Sequence, residues 1–418
     1  MALPNVLDDA FLDVERYAYY AECRNNEPIQ FISDSGDYRT WAVFKYEDVK
    51  KLSMAPGARL NPVGQNSPAW MTDSIVLQRF LANLSQIDGP IHGALRRSVS
   101  SFFSPRNVES IREVSSFAVA RLITRISEKT GTYDAVEEFA GQVPRDVICS
   151  ILGLPVEDWN MLIAMQHDFL MIFSFTPLSD TEQNRLHDVT KFYLDYFRQS
   201  LESGKIDRST SLVAHLLAEE SFGNLNHVQV LSIMHTVLDG GYETTRTSIA
   251  NAIEIFANNP HILLELKECP ANVNNAVEEF LRFRAPVHIR QRYLVEDYTT
   301  TDGQLIKAGD RVFLSLASAC RDEGRFANPD EIRVSRSNAT EHVAFGGGGV
   351  HSCLGTALAR LQLQEVFKGV VNSIEKFEMS GPPAKRHRSL IFPALEHLHV
   401  RSTPFRISIQ GNASVEAQ

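Results

Sequence analysis

The sequence has no long apolar run. No stretch approaches the ~18 residues that cross a membrane, and the N-terminus, MALPNVLDDAFLDVERYAYY, has neither the basic nor the apolar segment of a signal peptide. Positive charge is scarce as well: 41 Lys and Arg against 51 Asp and Glu give a net charge of -10, whereas a nucleic-acid surface needs a basic stripe. We therefore predict a cytoplasmic protein that binds neither a membrane nor nucleic acid.

Cysteine is also scarce. The five cysteines form no CxxC pair and no even-numbered framework, so the sequence indicates neither a zinc site nor a set of disulfides. In a reducing compartment, each cysteine is ordinarily a small buried hydrophobe. Only Cys353 has neighbours that favour another interpretation.

Helical periodicity dominates the sequence from Pro90 onward. The longest candidate helix covers residues 226–257, with Asn226 as its N-cap and Pro260 just beyond its end. Apolar residues lie on several of its sides, so we expect this helix to cross the interior. Further candidate helices cover about 105–130, 157–174 and 354–377.

Strand patterns occupy a smaller share of the chain. They are found at residues 29–44, around an Asp-Ser-Gly-Asp turn, and in the chain after Pro286. The sequence therefore predicts one domain, residues 1–418, that is mainly α with a small β portion (α+β). Within it, residues 1–85 form an N-terminal β-containing region and residues 411–418 a frayed tail.

The densest chemical signal is the segment Phe345-Gly-Gly-Gly-Gly-Val-His-Ser-Cys353-Leu-Gly355, which opens the last long helix. Backbone N–H groups of a glycine-rich turn and of a helix N-terminus both favour a negatively charged sulfur. Both effects lower a cysteine pKa and make the thiolate a better metal ligand. Two other interpretations stay open from this segment alone. One is a phosphate-binding turn, although the P-loop lysine and the Rossmann spacing are missing. The other is a tight turn with a structural cysteine.

This segment resembles the cysteine loop of the cytochrome P-450 family, which has a Phe, a Gly, a His or Arg two places before the Cys, and a Gly two places after it. Phe345 lies one residue further from Cys353 than the family's phenylalanine, as an insertion within Gly346–Gly349 would produce. The resemblance implies the family's fold, with a long central helix over the cofactor. It also implies haem b (iron protoporphyrin IX), whose iron the Cys353 thiolate binds. The loop's share of the haem pocket would be Phe345, Gly347, His351, Cys353 and Gly355.

The long helix carries a second family motif, Leu238-Asp-Gly-Gly-Tyr-Glu-Thr-Thr245. Two adjacent glycines in a helix interior cost roughly 1 kcal/mol each relative to alanine, so the pair indicates either a need for space or a simple helix kink. The resemblance places bound dioxygen beside Gly240. It makes Thr244 the hydrogen-bonding hydroxyl and Glu243 the acid that delivers protons.

A third motif is Glu279-Phe-Leu-Arg282, whose i, i+3 spacing puts both charged side chains on one helix face. Such a pair ordinarily lies on a solvated face and contributes under ~1 kcal/mol. The resemblance implies instead that this pair anchors the segment before the cysteine loop.

Cationic side chains at three places in the chain match the family's haem-binding positions. His92 and Arg96 are four residues apart, and therefore on one helix face, while Arg292 lies on a predicted strand. Each alone is more often a surface residue. The resemblance assigns these three, together with His351, to the haem propionates.

The substrate pocket is predicted from position alone. Asp239 stands where many relatives have an aliphatic residue, and a buried carboxylate needs a partner. Two interpretations stay open: a cationic or hydroxyl-bearing group of the substrate, such as an amine, or a nearby backbone donor or arginine. We expect a variable substrate loop within residues 1–85, an aromatic lid or core segment at 169–175, and a small or medium, mostly apolar substrate with one polar handle. The candidate wall residues are Thr236, Asp239, Val287, His288, Ile391 and Phe392.

The predicted function is insertion of one oxygen atom from O2 into a small organic molecule. Electrons from NAD(P)H would arrive through a reductase and a ferredoxin or flavodoxin, docking at cationic residues such as Arg97 and Arg360. One alternative is a peroxide-driven peroxygenase, which can dispense with the Glu243–Thr244 pair. Another is a non-catalytic haem protein, a sensor or a subunit of a complex, which needs neither that pair nor the glycines.

Overall fold

A computed structural model describes residues 3–209 and 211–405. Most of the regular structure in this part of the chain is helical, and none of its helices is long and apolar enough to span a membrane. The α-helices are α1 (Arg16–Asn26), α2 (Tyr46–Met54), α3 (Ser74–Leu81), α4 (Gly89–Ser100), α5 (Pro105–Glu109), α6 (Arg112–Ser127), α7 (Gln142–Ile151), α8 (Trp159–Ala164), α9 (Gln166–Phe169), α10 (Asp180–Glu202), α11 (Ser211–Ser221), α12 (His227–Asn258), α13 (Pro260–Glu268), α14 (Val273–Phe283), α15 (Leu316–Ala319) and α16 (Thr356–Ser373).

The strands form four small sheets. The largest has the order β1-β2-β7-β4, in which β2 and β7 run parallel and the other neighbours antiparallel. A second sheet has the order β3-β11-β8, and two-stranded sheets join β5 to β6 and β9 to β10. The strands are β1 (Ile29–Asp34), β2 (Arg39–Val43), β3 (Tyr133–Asp134), β4 (Ile289–Tyr293), β5 (Tyr298–Thr299), β6 (Leu305–Ile306), β7 (Arg311–Ser315), β8 (Ile374–Met379), β9 (Lys385–Arg386), β10 (Leu395–His397) and β11 (His399–Pro404). The predicted class, mainly α with a small β portion, is confirmed.

Helix α12 is the centre of the molecule. Asn226 is its N-cap, as predicted: its side chain accepts from the Gln229 N–H, and the Gln229 side chain accepts from the Asn226 N–H. Most of its side chains are buried, and it packs against α7, α10, α16 and β8. Because neighbours cover it on several sides, nearly all the apolar residues that the sequence distributes around this helix enter the core; Val228 and Ala257, near its ends, are only partly buried.

The predicted element boundaries are wrong at three places. The predicted helix 105–130 is interrupted between α5 and α6, and 157–174 consists of α8, α9 and a 3-10 turn at Leu170–Phe173. The last helix ends at Ser373, and the following residues form β8, which pairs with β11. Helices α1 to α3 were not predicted. The predicted tail at 411–418 lies outside the described residues.

Candidate active site

An interior cavity lies between the middle of α12 and the loop that precedes α16. Gly240 and Thr244 line it from α12, and Phe345 and Cys353 line it from the loop. Helix α4 contributes Arg96, and strand β4 contributes further arginines. The cavity is therefore bordered by the same chain segments that carry the sequence motifs.

The glycine run folds the cysteine loop against α2. Gly346, Gly347, Gly348 and Gly349 all have positive φ values, of 94°, 75°, 111° and 73°. A Cβ on Gly349 would lie 2.6 Å from the Ser53 carbonyl oxygen, and one on Gly347 would lie 2.7 Å from the Ser53 Oγ. Glycine is thus required both by backbone conformation and by contact with α2.

The inserted residue leaves Phe345 beside the cysteine. The Cys353 N–H donates to the Phe345 carbonyl at 3.0 Å, which closes the loop. The Phe345 ring lines the cavity, and the Arg360 guanidinium lies 5.0 Å from its centroid. Gly347, Gly348 and Gly349 thus pack on α2, while Phe345 stays at the cavity.

The Cys353 sulfur is accessible from the cavity, although protein surrounds the cavity itself. Burial raises the pKa of the Cys353 thiol. The Gly355 N–H, the Thr356 hydroxyl and the positive charges of Arg290 and Arg96 act in the opposite direction but do not outweigh burial. The expected lowering of this pKa by the turn and the helix N-terminus is therefore wrong for the protein alone. A bound metal cation would supply the missing stabilisation of the thiolate.

One edge of the cavity is lined by Arg96, Arg292 and His351, and His92 packs against the His351 ring without lining the cavity itself. The His92 Nε2 is buried without a hydrogen-bond partner among the described residues, and burial lowers the pKa of His92 to about 4. Arg96 donates to the Ser352 carbonyl at 2.9 Å, and Arg292 to the Gln291 carbonyl at 2.8 Å. A flat group with two carboxylates and a metal ion fits this edge and the Cys353 sulfur, and haem is such a group.

His351 stands at the same edge but already has a carboxylate neighbour. Its Nε2 lies 2.9 Å from the Asp88 Oδ1, and its ring centroid lies 4.4 Å from that of His92. The Nδ1 atom is therefore the ring nitrogen that remains for a haem propionate.

The Glu279–Arg282 pair is entirely buried rather than solvated. Both side chains are 0% exposed, and two hydrogen bonds of 2.7 and 2.8 Å join them. Arg282 also donates to the carbonyls of Cys320, Pro329 and Glu331. This geometry fixes the chain that leads toward the cysteine loop.

A third member of this cluster, Arg336, was not predicted. Its Nε lies 3.0 Å from both oxygens of Glu279, and its Nη atoms donate to the carbonyls of Ala327, Asn328 and Glu331. An isolated arginine in a loop carries no motif, so the sequence alone offered no signal for it.

Arg360, predicted to be part of a docking patch, is paired with Glu278, and its side chain is 34% exposed. Two hydrogen bonds of 2.8 and 2.7 Å join it to Glu278, and the His342 Nε2 lies 3.2 Å from the same carboxylate. Burial by itself raises a carboxyl pKa, but these partners lower the pKa of Glu278 to about 2. Arg97, by contrast, is exposed on α4.

The two glycines of α12 differ in their surroundings. A Cβ on Gly240 would meet nothing within 4 Å, because this glycine faces the cavity. A Cβ on Gly241 would lie 2.4 Å from the Ile148 Cδ1 of α7. Gly240 therefore leaves space for a ligand, whereas Gly241 permits close packing of two helices. Thr244 also lines the cavity, with its hydroxyl donating to the Gly240 carbonyl at 2.8 Å.

Four of the six candidate wall residues line the cavity: Thr236, Asp239, Val287 and Phe392. His288 does not, because it points to the other side of the chain, where its Nδ1 lies 3.0 Å from the Tyr20 hydroxyl and its ring packs on Tyr17. Ile391 is buried outside the lining, and its carbonyl accepts from the His288 N–H. The prediction is wrong for these two residues. Phe173 and Phe175 of the 169–175 segment line the cavity as well.

Asp239 has two arginines near it, Arg79 and Arg290, that the sequence did not reveal. Burial raises the pKa of Asp239 to about 7, against the lowering effect of these two positive charges. Arg79, from α3, is fully buried and donates to the Thr236 hydroxyl at 2.9 Å. No hydrogen bond or ion pair joins Asp239 to either arginine among the described residues, and its Oδ1 is buried without a partner, so both interpretations of Asp239 stay open.

Comparison with known proteins identifies the family. A sequence profile described as Cytochrome P450 matches residues 272–404. "Cytochrome P450 109" of Bacillus spizizenii is 32% identical over 353 residues, covering 83% of this chain and 81% of that protein. "Cytochrome P450-terp" of a Pseudomonas species is 28% identical over 401 residues, covering 90% and 92%. The chain belongs to the cytochrome P450 family.

The fold comparison agrees with this assignment. The solved structure of P450BioI in complex with a hexadec-9Z-enoic acid ligated acyl carrier protein has a TM-score of 0.84 and 26% sequence identity. The match covers 94% of this chain and 100% of that chain. The predicted family, fold and enzyme class are confirmed: the protein is a P450 monooxygenase, an oxidoreductase with a haem cofactor, and such enzymes use dioxygen, an organic substrate and redox partners.

Proposed function

We propose that this protein hydroxylates or similarly oxidises a small or medium-sized, mostly apolar organic molecule with one oxygen atom from O2. The cofactor is haem b, bound through Cys353, and the electrons come from NAD(P)H through a reductase and a ferredoxin or flavodoxin. The observation that carries the proposal is that Cys353 and the Gly240–Thr244 segment border one cavity from opposite sides. The Cys353 thiolate would hold the iron from one side of the cavity, and the Thr244 hydroxyl would face bound dioxygen from the other.

The chain's own residues would divide the remaining tasks. When bound, haem supplies the iron that takes up and activates dioxygen. Arg96, Arg292, His92 and the free ring nitrogen of His351 hold its propionates. The Phe345 ring, which lines the same cavity as Cys353, would help to exclude water from the thiolate.

Thr244 and Glu243 serve proton delivery on the opposite side. The Thr244 hydroxyl donates to the Gly240 carbonyl at 2.8 Å and lies at the cavity wall, so a change to another staggered χ1 rotamer would free it for a ligand in the cavity. The Glu243 carboxylate lies in the buried part of the same turn, where Arg246 binds both of its oxygens. To deliver a proton to the cavity, the Glu243 carboxyl group must first break its ion pair with Arg246.

The lining supports an apolar substrate. Val287, Phe392 and the aromatic rings at 173 and 175 form much of the wall. The exposed Arg97 on α4 supports docking of an acidic electron carrier, ferredoxin or flavodoxin. The presence of both Glu243 and Thr244 at the cavity favours the O2-dependent route over a peroxygenase or a non-catalytic haem protein.

The first experiment is the carbon monoxide difference spectrum of the reduced holoenzyme. We expect a strongly red-shifted Soret band in the parent protein and its loss in Cys353→Ser. A band at the position of histidine-ligated haem would contradict the assignment of Cys353.

The second experiment tests the reaction class. Ligands that change the iron spin state are turned over with a ferredoxin or flavodoxin system under 18O2, and we expect one 18O atom in the product. Label from water would contradict the proposal. Efficient turnover with H2O2 alone, unchanged in Thr244→Ala, would support the peroxygenase alternative instead.

A further inference from the structure

Arg290 is a buried cation that the proposed reaction does not use. It lies on β4, and its guanidinium faces the cavity, deep within the protein. Within residues 3–209 and 211–405, no group forms a side-chain hydrogen bond or an ion pair with it. Its neighbours are the rings of Phe173 and Phe392, whose centroids each lie 5.7 Å from the guanidinium carbon.

The negative charges near Arg290 do not neutralise its positive charge. Only Cys353 and Asp239, among the described residues, act on Arg290 with a negative charge. Asp239 is shared with Arg79, which is itself fully buried and has an unpartnered Nη1. Glu243, the next carboxylate along α12, is taken by Arg246. If the Cys353 thiolate is bound to iron, two guanidinium groups remain for one carboxylate, and a buried charge without a counter-charge is costly.

Arg290 and Arg292 lie two positions apart on β4, on the same face of the strand, and both line the cavity, where the charge of Arg290 acts on Arg292. They differ in the opposite charges that act on them: Asp88, at the start of α4, acts on Arg292, whereas Cys353 and Asp239 act on Arg290. The surroundings of Arg290 are instead the two phenylalanines and Asp239 of α12, on the side of the cavity where the substrate would lie. Four side chains are already assigned to the two propionates, so the propionates do not need Arg290 as a further donor.

We propose that the polar handle of the substrate is a carboxylate, and that Arg290 binds it. This inference rests on the proposed function, since it assigns the substrate class of the same cavity. The planar guanidinium offers two parallel N–H donors to a carboxylate, and the rings of Phe173 and Phe392 provide apolar contact for the adjoining part of the molecule. An ammonium group is disfavoured here, because Arg79 and Arg290 place two positive charges beside Asp239.

The test uses probes whose binding does not depend on the unknown substrate scaffold. The probes are ω-(imidazol-1-yl)alkanoic acids of increasing chain length, with the matched primary amides and amines. Their imidazole binds haem iron, so the Soret shift reports the dissociation constant for every probe. The chain length then sets how far the terminal group reaches from the iron toward Arg290.

At one chain length or a narrow range of lengths, we expect the acid to bind the parent holoenzyme at least about tenfold more tightly than its amide, as a charge-assisted hydrogen bond gives. Arg290→Gln should abolish this preference while leaving the affinity for the amide and the carbon monoxide spectrum unchanged. Arg290→Lys should restore part of the preference, since the charge remains but the two-donor geometry is lost.

Three results would overturn the proposal. One is equal binding of acid and amide at every chain length. Another is a preference for the amine. The third is loss of haem in Arg290→Gln, which would place Arg290 among the propionate ligands. Failure of the proposed function looks different, because the parent holoenzyme would then lack the red-shifted carbon monoxide band before any probe is added.

Discussion

Glu243 lies in a two-point ion pair with Arg246, one helical turn further along α12. Its carboxylate oxygens are 3.1 Å from the Arg246 Nε and 2.6 Å from an Nη. Both side chains are largely buried, 8% and 11% exposed respectively. The acid assigned to proton delivery lines the cavity but is paired with an arginine on its own helix, so breaking this ion pair would become a step of the reaction.

Glu243→Gln should slow NAD(P)H-driven dioxygen consumption by about 10²-fold, the lower end of what a positioned acid contributes. The change leaves Arg246 without its counter-charge, so the thermal midpoint should fall as well. Arg246→Lys separates the two effects, because it retains the charge and loses the two-point contact. Oxygen-electrode rates in H2O and D2O check the role. An unchanged rate and solvent isotope effect in Glu243→Gln would show that protons arrive by another path.

The adjacent glycines of α12 should respond to alanine with opposite signs. Gly240→Ala gains up to about 1 kcal/mol of helix propensity, because its Cβ meets open space, and it should weaken carbon monoxide binding. Gly241→Ala should cost about 1–3 kcal/mol through the clash with Ile148. Thermal unfolding of the holoenzymes measures both. The double variant Gly241→Ala/Ile148→Ala should be destabilised by less than the sum of the destabilisations of the two single variants, because the smaller side chain removes the clash. If the two single effects simply add, the clash is not the cause.

Arg336→Met should destabilise the holoenzyme by about 3–5 kcal/mol, as loss of one partner in a buried ionic cluster does. The substitution removes the second arginine from Glu279, which is 0% exposed. The matched control is Lys307→Met, which removes an ion pair with Asp297 that is about half exposed on both sides and should cost under about 1 kcal/mol. Similar shifts of the thermal midpoint in the two variants would contradict a structural role for the cluster.

The stability of the protein relative to Asp239→Asn should fall as the pH rises from about 4 to 7. Burial raises the pKa of Asp239 from 3.8 to about 7, so the unfolded chain ionises this group before the folded protein does. A carboxyl group whose pKa is higher in the folded protein lowers the free energy of unfolding as the pH rises past its pKa in the unfolded chain. The loss is complete once the pH exceeds the pKa in the folded protein. The difference in thermal midpoint between the two proteins at pH 5 and pH 8 measures this. A difference that is the same at both values would show that Asp239 is ionised throughout, with Arg79 or Arg290 as its partner.

The sequence predicted the parts of the site that depend on local spacing. Cys353 with its glycines, the acid–alcohol pair at 243–244 and the Glu279–Arg282 pair each lie within a single short segment, so one pattern contains both members. Long apolar periodicity likewise predicted α12 and its N-cap. Short helices such as α1 to α3 contain too few turns for a reliable period, and the alternation at Ile374–Met379 is compatible with either a helix end or a strand.

The residues that escaped prediction act across long separations in the chain. Arg79 meets Thr236, Arg336 meets Glu279, and Arg290 meets rings from two distant segments. Nothing near such an arginine in the sequence distinguishes it from a surface arginine. His288 was misplaced for a related reason: it lies in the extended chain just before β4, where successive side chains point to opposite sides, so Val287 lines the cavity and His288 packs against Tyr17 and Tyr20.

The packing of the four glycines on the end of α2 has a consequence for biosynthesis. The ribosome delivers α2 well before the cysteine loop, and the loop packs against Ser53 and Met54 of α2. A nascent chain that carries α2 alone therefore lacks the cofactor cradle, because the parts of the cradle are far apart in the sequence. Haem capture is expected only once the Gly346–Gly349 turn has reached α2, and this turn should be the last part of the cradle to gain protection from hydrogen exchange.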